Sequence, residues 1–148
     1  MDLSPVNFEP LVFLLVEDLP EDIFLMTKAF EEARICNRII ALKRNADVLP
    51  YLRGDAPYAG RPRPDVILFK SNASDSDARR QLNAIRQDSV SQGIEVIAIL
   101  EANGMDPNEN TFDLDVEVVL SKPIRAANLV AAVGSLSGNW LRFMKRSA

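Results

Sequence analysis

The chain has 148 residues, 47% of them hydrophobic, and a formal charge of -4 at pH 7. That is apolar material for one substantial core, with too little length for two, and no net positive field draws the chain to nucleic acid or to an anionic membrane. One cysteine and no histidine exclude a disulfide framework, a Cys/His zinc site and any mechanism with histidine as base.

Pro10 precedes Leu11–Val16, an apolar run without alternation, which reads as a strand buried on both faces. It ends in Glu17 and Asp18. Carboxylates at the carboxyl tip of such a strand stand where open α/β sheets place metal or phosphate chemistry; they serve equally well to end the strand and favour the next helix's amino end. Pro20 suits a first helical position, and Glu21 and Asp22 suit the first turn of a helix running to about Glu32. Ile23, Met26, Thr27, Phe30 and Ala33 form its inner face, while Leu19 offers no side-chain cap.

Ile35–Leu42 holds a second strand, placed toward the sheet edge by the polar Asn37 and Arg38; Cys36 reads as a small buried hydrophobe. Asn45 stands where it would cap a second helix over Val48, Leu49 and Leu52, in which Pro50 demands a kink or a late start. Arg53–Arg63, with Gly54, Pro57, Gly60 and Pro62, reads as a surface excursion. Arg61, Arg63, Arg79 and Arg80 read as scattered solvated charges.

Val66, Ile67, Leu68 and Phe69, between Pro64-Asp65 and a polar tail, form the central strand, and Lys70 stands at its carboxyl tip. Ser74 and Asp77 have capping-box spacing for a helix that buries Ala78, Leu82 and Ile85 and exposes Arg79, Arg80, Arg86 and Gln87. Ile94–Leu100 is a fourth strand, followed by a loop over Glu101–Gly104. From Met105 to Asp115, Pro107, Asn108, Asn110 and Thr111 disfavour a regular helix. Val116–Leu120 supplies a fifth strand of edge character.

Ser121-Lys122-Pro123 leads to a last helix, from about Arg125 to Leu136, with Ala126, Leu129, Val130 and Val133 as its core face. Ala127, Ala131, Ala132 and Ser135 leave its second face small and uncharged. Gly138-Asn139 then turns into Trp140, Leu141, Phe143 and Met144. An uncharged helix face followed by an aromatic cluster indicates a protein–protein surface. One domain is expected over residues 1–137, with an interface-forming extension over 138–148. No secretory pattern and no run of transmembrane length is present, so a cytoplasmic location is expected.

Five strands alternating with helices, Glu17-Asp18 after the first strand and Lys122-Pro123 after the fifth resemble the receiver domain of two-component response regulators, over nearly the whole chain. LVEDLPED at 15–22, YLRG at 51–54, PY at 57–58, RPRPD at 61–65 and the tryptophan-bearing tail look like the single-domain regulators that accompany bacterial phytochromes. The resemblance implies a flavodoxin-like α/β fold: a five-stranded parallel sheet of order 2-1-3-4-5 with helices on both faces. In that family an aspartate after strand three accepts a phosphoryl group from a histidine kinase, and the acidic pair after strand one holds Mg²⁺ with it. A hydroxyl after strand four bonds the phosphoryl group, an aromatic in strand five changes rotamer, and the lysine before proline neutralises charge.

Glu17, Asp18, Lys122 and Pro123 match that pattern. Lys70 stands in place of the acceptor aspartate, Leu100 in place of the hydroxyl and Val119 in place of the aromatic. The resemblance thus implies a degenerate pocket with no phosphoacceptor, no metal and no cofactor, in which Lys70 pairs with Asp18 or Glu17. The function expected is that of a non-phosphorylatable, non-enzymatic interaction or dimerisation module in two-component signalling. Its partners would be a second copy, another response regulator or a sensor histidine kinase, with no nucleic acid and no membrane. The alternatives are an active regulator phosphorylated on a displaced aspartate, Asp75 or Asp77, and a small flavodoxin-like ligand-binding or enzymatic domain. Against the last, the stretch after the first strand is EDLPED, acidic and without the glycines of a phosphate loop.

Overall fold

The structure, a computed structural model, describes residues 10–35, 37–71, 76–101 and 115–136. Five strands, β1 (Leu11–Val16), β2 (Asn37–Leu42), β3 (Val66–Ser71), β4 (Glu95–Leu100) and β5 (Val118–Ser121), form one sheet of order β2-β1-β3-β4-β5. Every pairing is parallel. This is the flavodoxin-like order that the sequence resemblance implies, with β2 and β5 at the edges.

Among the described residues four α-helices cover the sheet: α1 (Pro20–Ala33), α2 (Val48–Arg53), α3 (Ser76–Gln87) and α4 (Ala126–Gly134). Because side chains of a strand alternate between faces, Leu11, Phe13 and Leu15 of β1 and Val66 and Leu68 of β3 pack with Met26, Ala29 and Phe30 of α1 and Leu129 and Val133 of α4. Leu14, Val16, Ile67 and Phe69 point the other way, onto Val48 and Tyr51 of α2 and Ala78, Leu82 and Ile85 of α3. The Phe13 and Phe30 rings meet edge to face at 4.6 Å between centroids.

Pro50 is the third residue of α2, within the first turn, where no intrahelical partner for its missing N–H is needed; this is the late start its position requires. Leu19 provides no side-chain cap to α1. Three local expectations are corrected. Asn45 does not cap a helix: its side-chain amide instead donates to the Lys70 carbonyl at 2.7 Å, tying the end of β2 to the tip of β3. Arg86 is not a solvated charge: its guanidinium donates to the Asp115 and Ile94 carbonyls and to Glu117. Ala132 lies in the core at 3% exposure, because α4 presents Leu129, Ala132 and Val133 to α1 and the sheet, while Ala127, Ala131 and Ser135 remain exposed.

Cys36, Ser74, Asp75, the segment 102–114 and the tail with Trp140, Leu141, Phe143 and Met144 lie outside the described residues. Among the described residues no helix is long and apolar enough to cross a membrane.

Candidate functional site

The carboxyl tips of β1, β3, β4 and β5 bring together six charged side chains. Glu17 directly follows β1, and its carboxylate is buried at 4% exposure. A carboxylate in that environment requires a donor for each lone pair it keeps. Oε1 accepts the backbone N–H of Asp18 at 3.1 Å and of Leu19 at 3.4 Å. It also accepts Lys70 Nζ at 3.3 Å, while Oε2 accepts Lys122 Nζ at 2.6 Å.

Lys122 lies just beyond β5, its backbone N–H anchored to the Leu100 carbonyl at 2.9 Å. Its ammonium donates also to Asp22 Oδ2 at 3.0 Å and Glu101 Oε1 at 2.9 Å. It thereby joins the end of β1, the first turn of α1 and the end of β4. Burial pulls the Lys122 ammonium toward losing its proton, but the hydrogen bonds to Glu17, Glu101 and Asp22 outweigh that, and its pKa is raised.

Lys70 is the last residue but one of β3, its carbonyl held by Asn45. On alternating parity it shares the face of Val66 and Leu68, the α1 and α4 side, toward which Leu15 also points. Its Nζ bridges Asp18 Oδ1 at 2.9 Å and Glu17 Oε1 at 3.3 Å. Burial again works to lower the Lys70 pKa, and the hydrogen bond to Asp18 with the charge of Glu17 raises it on balance. In return the Lys70 hydrogen bond and charge hold the exposed Asp18 carboxyl below its usual range.

Of the residues singled out from the sequence, Glu17, Asp18, Lys70 and Lys122 are brought together here. Leu100 is buried in the core on the α2 and α3 face, and Val119 stands 37% exposed on the edge strand. Asp22 and Glu101 were missed as members of the cluster. The signal for Asp22 was its place four residues after Asp18, one helical turn along α1; for Glu101 it was the same strand-tip position that Glu17 holds in β1.

No protein-family model matches the chain. The bacteriophytochrome response regulator RtBRR has the same fold, with a TM-score of 0.70 at 23% identity over 94% of this chain and 89% of that one. Rcp1, a response regulator of Synechocystis sp. (strain ATCC 27184 / PCC 6803 / Kazusa), is 27% identical over 139 residues, 94% of this chain and 95% of that protein. The chain is similar in sequence and fold to phytochrome-associated response regulators. The phosphorylated cyanobacterial phytochrome response regulator RcpA matches this chain with a TM-score of 0.65 at 26% identity, over 90% of this chain and 95% of that one. The Mn²⁺-bound form of Rcp1 matches it with a TM-score of 0.64, also at 26% identity, over 84% and 91%. In this chain the space between the first-strand carboxylates and the tip of β3 is spanned by a lysine ammonium.

Proposed function

We propose that this receiver domain acts without phosphoryl transfer, as a non-catalytic interaction module in two-component signalling. The observation that carries the reading is Lys70 Nζ, within hydrogen-bond distance of Asp18 Oδ1 at 2.9 Å and of Glu17 Oε1 at 3.3 Å. An ammonium has no lone pair with which to attack phosphorus, and among the described residues no carboxylate stands at the tip of β3 to become an acyl phosphate. Mg²⁺ does not fit the donor set: it demands near-octahedral oxygens, and the ammonium already takes the lone pairs that Glu17 and Asp18 would turn to it.

The remaining substitutions agree. An alkyl group at Leu100 packs in the core and offers no hydroxyl to a phosphoryl oxygen, and a β-branched Val119 has one stiff side-chain torsion where a ring would swing. With no second arrangement to favour, phosphate has no equilibrium to shift. Asp77, considered as a displaced acceptor, lies on α3, exposed and ion-paired with Arg80. Output then rests on surfaces: the exposed Ala127, Ala131 and Ser135 of α4, continued by the 138–148 extension, where a second copy, another regulator or a sensor kinase would bind.

Incubation with acetyl phosphate and Mg²⁺ followed by intact-mass measurement tests the reading. The expected spectrum shows the unmodified chain alone, while a hydroxylamine-labile phosphoryl adduct overturns the proposal.

A further inference from the structure

At the amino-terminal edge of the sheet, opposite the lysine cluster, residues 55–65 fold over the end of α2. They close a cavity of about 250 Å³ lined by Tyr51, Tyr58, Arg53, Arg61 and Arg63 among others. In a chain with 21 acidic and 17 basic side chains, this cavity inverts the overall charge, since among the described residues no carboxylate lines it. The arginines divide into two kinds. Arg53 is ion-paired with Asp88, and Arg63 donates to the Val90 and Gln92 carbonyls at 2.8 Å each, so both are structural. The guanidinium groups of Arg61, in the lining, and of Arg38, exposed on β2, make no hydrogen bond or ion pair among the described residues.

The floor is firm. The Tyr51 ring is buried at 4% exposure, and its hydroxyl donates to the Pro62 carbonyl at 2.7 Å. The half-buried Tyr58 ring is tilted against it at 5.4 Å. Arg38 shares the β2 face of Ile40 and Leu42, which pack in the same cluster as Tyr51; burial raises the Tyr51 phenol pKa, and the charges of Arg61 and Arg38 both act against that rise. Asp55 in the same loop is exposed and opposes an anion, but Arg53 and Asp88 cancel, and Arg38, Arg61 and Arg63 leave the balance positive.

We propose that this cavity binds a small phosphate-bearing anion, with Arg61 and Arg38 as its charged partners and the Tyr58 ring as a flat wall beside it. Guanidinium groups match phosphate oxygens in pairs, and a free guanidinium loses little by taking such a partner. An aromatic wall adds a stacking face if the phosphate carries a base. The concave shape suits a small molecule rather than a protein surface.

Calorimetric titration of the full chain with pyrophosphate and with adenosine monophosphate, at physiological ionic strength, tests this. Saturable binding to one site is expected, weakened by about tenfold in Arg61→Ala, weakened also in Arg38→Ala, and unchanged in Arg80→Ala, whose guanidinium belongs to the α3 surface. Equal affinity for the two probes assigns recognition to phosphate alone. A preference for the nucleotide that Tyr58→Leu abolishes assigns the base to the Tyr58 wall. Failure of both probes to saturate, or an equal loss in Arg80→Ala, overturns the proposal.

Discussion

Glu17 is the group on which the charged cluster depends, because its carboxylate is nearly dry while Asp18, its neighbour, is exposed. The two lysines are therefore unequal. Removing Lys122 leaves the buried Glu17 Oε2 without its donor and takes the shared cation from Asp22 and Glu101, while Lys70 still reaches Oε1; Lys122→Ala is expected to cost about 3–5 kcal/mol. Removing Lys70 leaves Glu17 its bond to Lys122 and returns Asp18 to water, so Lys70→Ala is expected to cost about 1–2 kcal/mol. Urea denaturation of both variants checks the order. The same groups set the pH response. Both lysines hold their protons more tightly than the usual 10.5, so their contribution is complete below that pH and is lost as pH rises beyond it, the unfolded chain deprotonating first. Asp18 is held below the usual 3.8, so its contribution is complete above that value and is lost as pH falls through the lowered one. Urea midpoints should stay flat from about pH 5 to 9, where no histidine titrates, and the alkaline loss should shrink in Lys122→Ala. The pairing of Lys70 with the first-strand carboxylates was readable because the family resemblance implies an order that sets β1 beside β3, and neighbouring strand tips of a parallel sheet meet at one edge. Asp22 and Glu101 were not, because each had a sufficient local role, one in a helix's first turn and one at the start of a loop.

At the scale of elements, Arg86 and Glu117 clamp α3 to the approach of β5. Glu117 Oε2 accepts both the Val96 backbone N–H and Arg86 Nη2 at 2.6 Å, and Arg86 reaches the Asp115 and Ile94 carbonyls besides. Glu117→Ala leaves the Val96 N–H without its acceptor and is expected to cost about 1–3 kcal/mol. Arg86→Ala should cost a comparable amount, and the double variant less than the sum, since each change removes the same bond; a double-mutant cycle in urea measures the difference. The strands themselves were plain in the sequence, because three to six consecutive apolar residues between turn residues admit few other readings, and the spacing of Ala78, Leu82 and Ile85 fixed the buried face of α3. Arg86 escaped notice because its charged partner lies 31 residues away, beyond any helical periodicity. Ala132 was misplaced for a different reason: α4 carries alanine on both faces, so polarity gives no gradient that separates the buried Ala132 from the exposed Ala131.

For the molecule as a whole, both faces of the sheet carry helices, and among the described residues β5 is an edge strand. β5 pairs with β4 on one side and ends the sheet on the other, and an edge strand of this kind offers backbone groups to another chain. Beside it runs a shallow groove of about 260 Å³ lined by Val118, Leu120, Asn128, Ala131, Ala132 and Ser135. Among the described residues no charged side chain lines it, and Val119 adds apolar surface on the same strand at 37% exposure. A second copy of the chain suits such a face, because an isologous contact sets each uncharged groove against its own like and needs no complementary charge. Trp140, Leu141, Phe143 and Met144 follow α4 in sequence, close enough along the chain to extend the same contact. Light scattering coupled to size exclusion is therefore expected to give a dimer for the intact chain and a monomer for a truncation ending at Ser137. Ala131→Glu in the intact chain separates the two contributions. It places a charge in the groove without touching the tail, and like charges meeting across the two-fold should give a monomer here too. A dimer that survives Ala131→Glu but not the truncation assigns the contact to the tail alone, and a monomer for the intact chain removes self-association from the account and leaves the α4 face to a different protein.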